Sequence, residues 1–365
     1  MVITKIFSIA CGAVALFVSC CKQETGDALL DYYENAPSSI MSLVDTLDLE
    51  QFGILVPTKI IIYKDSFIVQ KGLSENHIDI LTPERKIISC VRRGRGPGEL
   101  TDIGSLQVQG DMLFVFGPSQ KKLIVLDIPG TIAAQEQLIL EENQLGSLDH
   151  KASDLMALPV RISYFKDHYY AVGLFGNGSL YAELSREGVF ISGIPGPELG
   201  DNRLSPLDRW SLNMDALMSL SPDGTKIAVA YVQIAAISFG HTQPLLTEQW
   251  SKVFFPPRLW LPDQPELMVS YEKENVVTFR GLQATDSTVY ALYSGRNRIG
   301  DEENKADHCV HLFAFDWNGA PLMHYELEVP VAGFWMDDDT LYGVSFYPCA
   351  KVYQFRPTQP VVRRS

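Results

Sequence analysis

The feature that most constrains this chain is a hairpin that recurs six times. In each copy an apolar, strand-like run meets a turn carrying aspartate, and a second β-rich run follows. The turns are Tyr63-Lys64-Asp65-Ser66-Phe67, Gln109-Gly110-Asp111-Met112, Phe165-Lys166-Asp167-His168-Tyr169, Ser221-Pro222-Asp223-Gly224, Thr285-Asp286-Ser287-Thr288 and Asp337-Asp338-Asp339-Thr340. Asp, Gly, Ser and Asn suit such places because they tolerate left-handed backbone or bond their own main chain. With Asp65, Asp111, Asp167, Asp223, Asp286 and Asp338 as markers, the gaps are 46, 56, 56, 63 and 52 residues. A period near fifty is the size of a four-stranded propeller blade.

The remaining strands fit that unit. A third apolar run follows several hairpins, as at Leu123–Ile128 and His311–Phe315, and a fourth follows it, as at Lys86–Val91 and Leu322–Leu327. The last repeat, from Val331 to about Phe355, has only three evident strands. Ser42–Leu49 precedes the first repeat and alternates like a strand, so it is expected to supply the missing outer strand and close the ring. The expected fold is therefore all-β: a six-bladed β-propeller over residues 41–357, followed by a short tail, 358–365. A two-sheet sandwich accounts less well for six hairpins over some 300 residues.

The N-terminus predicts export. Lys5 supplies a positive start, Ile6 to Val18 is uncharged and apolar, and Phe17-Val18-Ser19-Cys20 has the small-residue-then-cysteine form of a lipobox. Residues 1–19 are thus expected to be a lipoprotein signal peptide and Cys20 the lipidated residue. The apolar run is too short for a membrane span, which needs about 20 residues. Residues 20–40 are polar and are expected to form a tether from the lipid to the ring. Removing residues 1–19 leaves 346 of 365 residues and, with Lys5 lost, takes the formal charge from −14 to −15. Such a surface repels nucleic acid. The folded part keeps Cys90, Cys309 and Cys349 in or beside apolar runs, which reads as buried thiols without chemistry.

Three features carry a family resemblance. Gly94-Arg95-Gly96-Pro97-Gly98-Glu99 resembles the G-x-G-P-G-E loop of TolB-like six-bladed propeller lipoproteins of Gram-negative gut bacteria. Leu292–Arg296, Phe315–Gly319 and Tyr325–Leu327 look like that family's fifth blade, and Ser221–Ala228 resembles the S-P-D-G-x-x-I-A hairpin of TolB-type propellers. The resemblance covers roughly residues 40–357. It implies the fold and the lipid anchor, and it brings no catalytic residues.

Ligands of propellers usually sit where the central channel opens onto two loop sets, those that join each blade's outer strand to the next inner strand and those that join its second strand to its third. Those loops are expected to carry Arg93, Arg95, Arg203, Arg209, Arg296 and Arg298, with Arg92 and Arg258 beside them and Arg161 where an adjoining strand begins. Guanidinium forks suit an anionic group. The same loops hold Asp102, Glu198, Asp208 and Asp307, which offer ordinary ion pairs, and Glu99, expected to accept backbone N–H groups in a tight glycine turn.

No H-E-x-x-H, G-x-S-x-G or P-loop motif occurs. Cys309 and His311 share a strand face with His308 adjacent, too few ligands for zinc. The sequence therefore predicts a monomeric, cofactor-free binding or protein-interaction module. It would be held at the cell envelope, at the outer membrane, by lipid, with a glycan, peptide or envelope protein as partner. The alternative is a channel-mouth lyase or hydrolase acting on an anionic glycan.

Overall fold

The computed structural model describes residues 28–145, 157–175, 177–199, 203–262, 269–299 and 305–358. The signal segment, Cys20 and the tail beyond residue 358 lie outside them.

All six marked turns join the innermost two strands of a blade. The inner strands are Pro57–Tyr63, Ser105–Gln109, Ala157–Phe165, Leu217–Leu220, Val276–Ala284 and Gly333–Asp337. The residues in left-handed backbone at these turns are Lys64, Gly110, Lys166, Asp167, Gly224 and Asp338. At the fourth turn the aspartate instead bonds across the turn: Asp223 accepts from Ser221 Oγ and the Thr225 N–H. These bonds hold the Asp223 carboxyl down at about 2.

Burial explains why the blades form a ring. Middle strands are buried on both faces: Met112–Gly117 and Lys122–Asp127 bury almost every residue, whereas the outer strand Thr247–Phe255 is mostly exposed. Successive side chains in such a strand serve opposite neighbours. Leu113 and Val115 pack on Ile61, Ile68 and Ile80 of blade one, while Phe114 and Phe116 pack on Ile162, Tyr169 and Phe175 of blade three. Further clusters fill the joints between blades three and four, four and five, five and six, and six and one. The last of these sets Val344 and Val352 against Ile60 and Val69, which closes the circle.

The closing strand runs from Ser38 to Asp48 and pairs antiparallel with Lys351–Pro357, the third strand of blade six, as expected. Its first part does something further. Ser38–Met41 pairs in parallel with His324–Leu327, the outer strand of blade five, which joins the last two blades into one eight-stranded sheet. Glu328 then accepts from Ser42 Oγ and the Leu43 N–H, covering an edge that would otherwise invite pairing.

Of the stretch 20–40 expected to be a tether, residues 28–40 are instead folded onto the ring. Ala28–Tyr32 forms a helix with Leu29 buried, and Tyr33 donates its hydroxyl to the Ala314 carbonyl while its ring packs on Phe313 and Phe315. Leu29, Tyr32 and Tyr33 give this otherwise polar stretch enough apolar surface to dock on blades four and five.

Side chains also tie adjacent inner strands together. The Gln107 amide accepts from the Tyr164 N–H and donates to its carbonyl, and Gln283 makes the same two bonds to Met336. Each amide stands in for a missing strand partner. Gln283→Ala should lower unfolding stability by about 1–3 kcal/mol, because it leaves two main-chain groups of the buried Met336 unpaired. Urea unfolding should show this as a lower midpoint with an unchanged slope.

Candidate functional site

The six inner strands begin at one end of the central channel and enclose there a cavity of about 280 Å³. Its charged lining residues are Lys59, Arg161, Arg280 and Asp215. The three cations occupy equivalent places: each stands six residues before the turn aspartate of its blade, Asp65, Asp167 or Asp286. The same register in the other blades holds Ser105, Leu217 and Ala332, which also line the cavity. Cationic and neutral positions thus alternate around the channel.

Arg161 is held rigidly. It donates from Nε to the Ala216 carbonyl, from Nη1 to the Gly104 carbonyl and from Nη2 to Asp215 at 3.0 Å, so it spans blades two, three and four. Lys59 Nζ donates to the Leu106 carbonyl at 2.8 Å. Burial in the channel wall, reinforced by the Arg161 charge, brings its ammonium pKa down to about 8. Two other buried lysines are neutralised by carboxylates: Lys71 by Asp79 and Lys122 by Glu142, each at 2.7 Å. Lys59 has no such partner among the described residues. Arg280 is exposed and also borders a second hollow of about 430 Å³, with Arg298, Ile299, Lys305 and Asp307. The channel cations therefore continue onto the rim.

The arginines expected from sequence are dispersed. Arg93 gives its donors to the Ser74, Thr101 and Gly72 carbonyls and so binds loop backbone. Arg95 is exposed, Arg203 is exposed, and Arg209 is half-buried within the helix Pro206–Asn213. Arg296 donates to the His308 carbonyl. Only Arg298 of this set borders a hollow shared with a channel cation. Glu99 accepts from the Gly96 N–H, and a methyl on Gly94 or Gly96 would run into its carboxylate. Gly98 alone of these glycines has positive φ, at 67°, and its N–H bonds Glu142. The loop is thus bolted to blade two, with Lys122 also donating to the Gly96 carbonyl.

Lys59 and Arg280 lie in inner strands and not in the loops where the sequence places its candidate cations. Their signal was a lone cation inside an apolar inner strand, Pro-Thr-Lys-Ile-Ile-Ile-Tyr and Val-Thr-Phe-Arg-Gly-Leu, at a fixed distance from the turn. Cys90 and Cys309 are buried, free and raised to about 12 by desolvation, whereas Cys349 is half-buried and free. His311 Nδ1 lies 3.0 Å from His324 Nε2, and no cluster of three metal-ligating residues occurs among the described residues.

Comparison with known proteins agrees with this architecture. Residues 254–339, which run from the end of blade four into blade six, match the family model described as TolB-like 6-blade propeller-like. The chain folds as a six-bladed β-propeller, and this segment of it is similar to the TolB-like family. Among solved structures it is similar to a member of the DUF4221 family from Bacteroides vulgatus, with a TM-score of 0.53 and 8% identity over 88% of this chain and 98% of that one. A Bacteroides fragilis protein described as exported aligns with a TM-score of 0.49 and 10% identity over 89% of this chain and 96% of the other. At such identities the likeness concerns the fold alone. No curated protein matches the sequence.

Gly104 tests how tightly the channel mouth is built. A methyl there would meet the Val160 carbonyl oxygen at 2.1 Å, and a backbone atom cannot swing aside. Gly104→Ala should therefore destabilise the protein by about 1–3 kcal/mol, as overpacking does, with a lower midpoint in thermal unfolding.

Proposed function

We propose that this chain is a lipid-anchored binding module of the cell envelope that takes an anionic ligand at the mouth of its central channel. One observation carries the ligand class: three cations from alternate blades line one cavity whose described lining has a single carboxylate, already bonded to Arg161. Lys59 and Arg161 are half-buried, and cations held in a partly dehydrated cleft attract anions more strongly than loop cations bathed in water. The export and anchoring parts of the reading rest on the lipobox at Phe17–Cys20 and the apolar run before it.

An enzyme acting on an anionic glycan is less well supported. Glycoside hydrolysis commonly needs two carboxyl groups flanking the scissile bond. Among the described residues, the cavity lining offers only Asp215.

Calorimetry with a panel of small carboxylates, sulfates and phosphates tests the reading. Lys59→Met and Arg280→Gln should each weaken the best ligand about tenfold or more, the loss expected when a charged hydrogen bond is removed. Arg95→Ala, on the exposed loop, should leave it unchanged. Strong binding insensitive to Lys59 and Arg280 but abolished by Arg95→Ala would move the site to the loop face.

Acidity gives an independent check. A bound anion favours the ammonium form of Lys59, whose pKa in the free protein is about 8. For a ligand whose own charge is constant over this range, affinity should fall as pH rises through that value. Lys59→Arg should remove the fall, because guanidinium stays charged throughout. Titrations at stepped pH above about 7, where carboxylate, sulfate and phosphate groups hold a nearly constant charge, would read this directly, and an affinity that rose through the Lys59 pKa would contradict the assignment.

A further inference from the structure

The arrangement of the cations narrows the anion further. Lys59, Arg161 and Arg280 come from blades one, three and five, and Ser105, Leu217 and Ala332 fill the same register in blades two, four and six. Taking every second blade of a six-bladed ring spaces the cations by about 120° around the channel axis. The site therefore has approximate threefold character along the direction in which a ligand enters.

We propose that this ring receives the terminal phosphoryl group of a small phosphate monoester, held along the channel axis. The proposal rests on the anionic-ligand reading above. A phosphoryl group carries three terminal oxygens related by a threefold axis, with its ester oxygen on that axis. Each oxygen can face one cation while the ester oxygen leads the rest of the molecule out through the mouth. A carboxylate is planar and has two oxygens, so it can address only part of the ring.

Charge points the same way. Arg161 is already compensated by Asp215 at 3.0 Å. Lys59 and Arg280 are bonded to no carboxylate among the described residues, so within the described cavity lining the positive charges outnumber the single carboxylate by two. A phosphate monoester carries about −1.5 to −2 charge at pH 7, whereas a sulfate ester of the same shape carries a single charge. Unpaired charge in a partly buried site is unfavourable, so a dianion complements the ring better than a monoanion. Arg298 and Lys305, in the hollow reached past Arg280, lie where polar groups on the remainder of the ester would emerge.

The test is calorimetric titration of the full chain in detergent with inorganic phosphate, glucose 6-phosphate, glucose 6-sulfate and glucuronate, beside sedimentation with vesicles containing phosphatidate. Glucose 6-phosphate should bind at least about tenfold more tightly than the sulfate or the uronate, the discrimination expected of a charged bidentate contact. Inorganic phosphate should compete with it. Arg280→Gln, at an exposed position that does not threaten folding, should remove most of the preference for phosphate over carboxylate.

If the sulfate or the uronate binds as tightly as the phosphate, the phosphoryl assignment falls and the broader anionic reading stands. If none of the four binds and phosphatidate vesicles are also ignored, both fall. Binding confined to the vesicles would overturn the assignment to a small ester.

Discussion

Everything in this molecule depends on strands that are apolar on both faces. A blade whose middle strands bury Leu113 and Val115 one way, and Phe114 and Phe116 the other, cannot be stable with a single neighbour. The requirement passes from blade to blade, and only a closed circle satisfies it everywhere. The decisive joint is the one where blade six meets blade one, with Val344, Val352 and Ala350 against Leu49, Ile54 and Ile60. The strand Ser38–Asp48 holds that joint by completing blade six, and it binds blade five in the same stroke. Local strand pairing and global closure are therefore a single device.

The candidate site follows from that closure. A cation inside an apolar strand is a poor choice for folding when seen in isolation. Placed on an inner strand of a ring, it faces a water-accessible channel and can keep its charge. The register that brings Lys59, Arg161 and Arg280 to one mouth is the same that places the turn aspartates at the other end of each inner strand. The repeat thereby does two jobs: it builds the scaffold and aligns the charges. Arg161, tied to the Ala216 and Gly104 carbonyls and to Asp215, also helps hold the second, third and fourth blades at their common edge.

Local features were the legible ones. Six turns could be read directly because turn chemistry resides in a few contiguous residues such as Ser221-Pro222-Asp223-Gly224. Closure by an N-terminal strand could be inferred because the last repeat lacked one strand and Ser42–Leu49 had the right alternation. The parallel pairing of Ser38–Met41 with His324–Leu327 was not legible, since nothing in a short strand states which of several distant edges it will cover. The docking of Tyr33 on Phe313 and Phe315 was hidden in the same way, and so a stretch read as tether proved to be part of the ring.

By itself the sequence determined the period, the hairpins and the six-bladed ring, because each depends on neighbouring residues or on a repeated spacing. Tertiary structure alone decided which cations meet. Arg93, Arg203, Arg209 and Arg296 looked alike in sequence, yet Arg93 is spent on loop carbonyls and the others stay apart from the channel lining. Lys59 and Arg280, more than two hundred residues apart, looked like blemishes in apolar strands. Curling the blades into a circle brings the starts of all inner strands to one axis, and only that convergence turns scattered charges into a site.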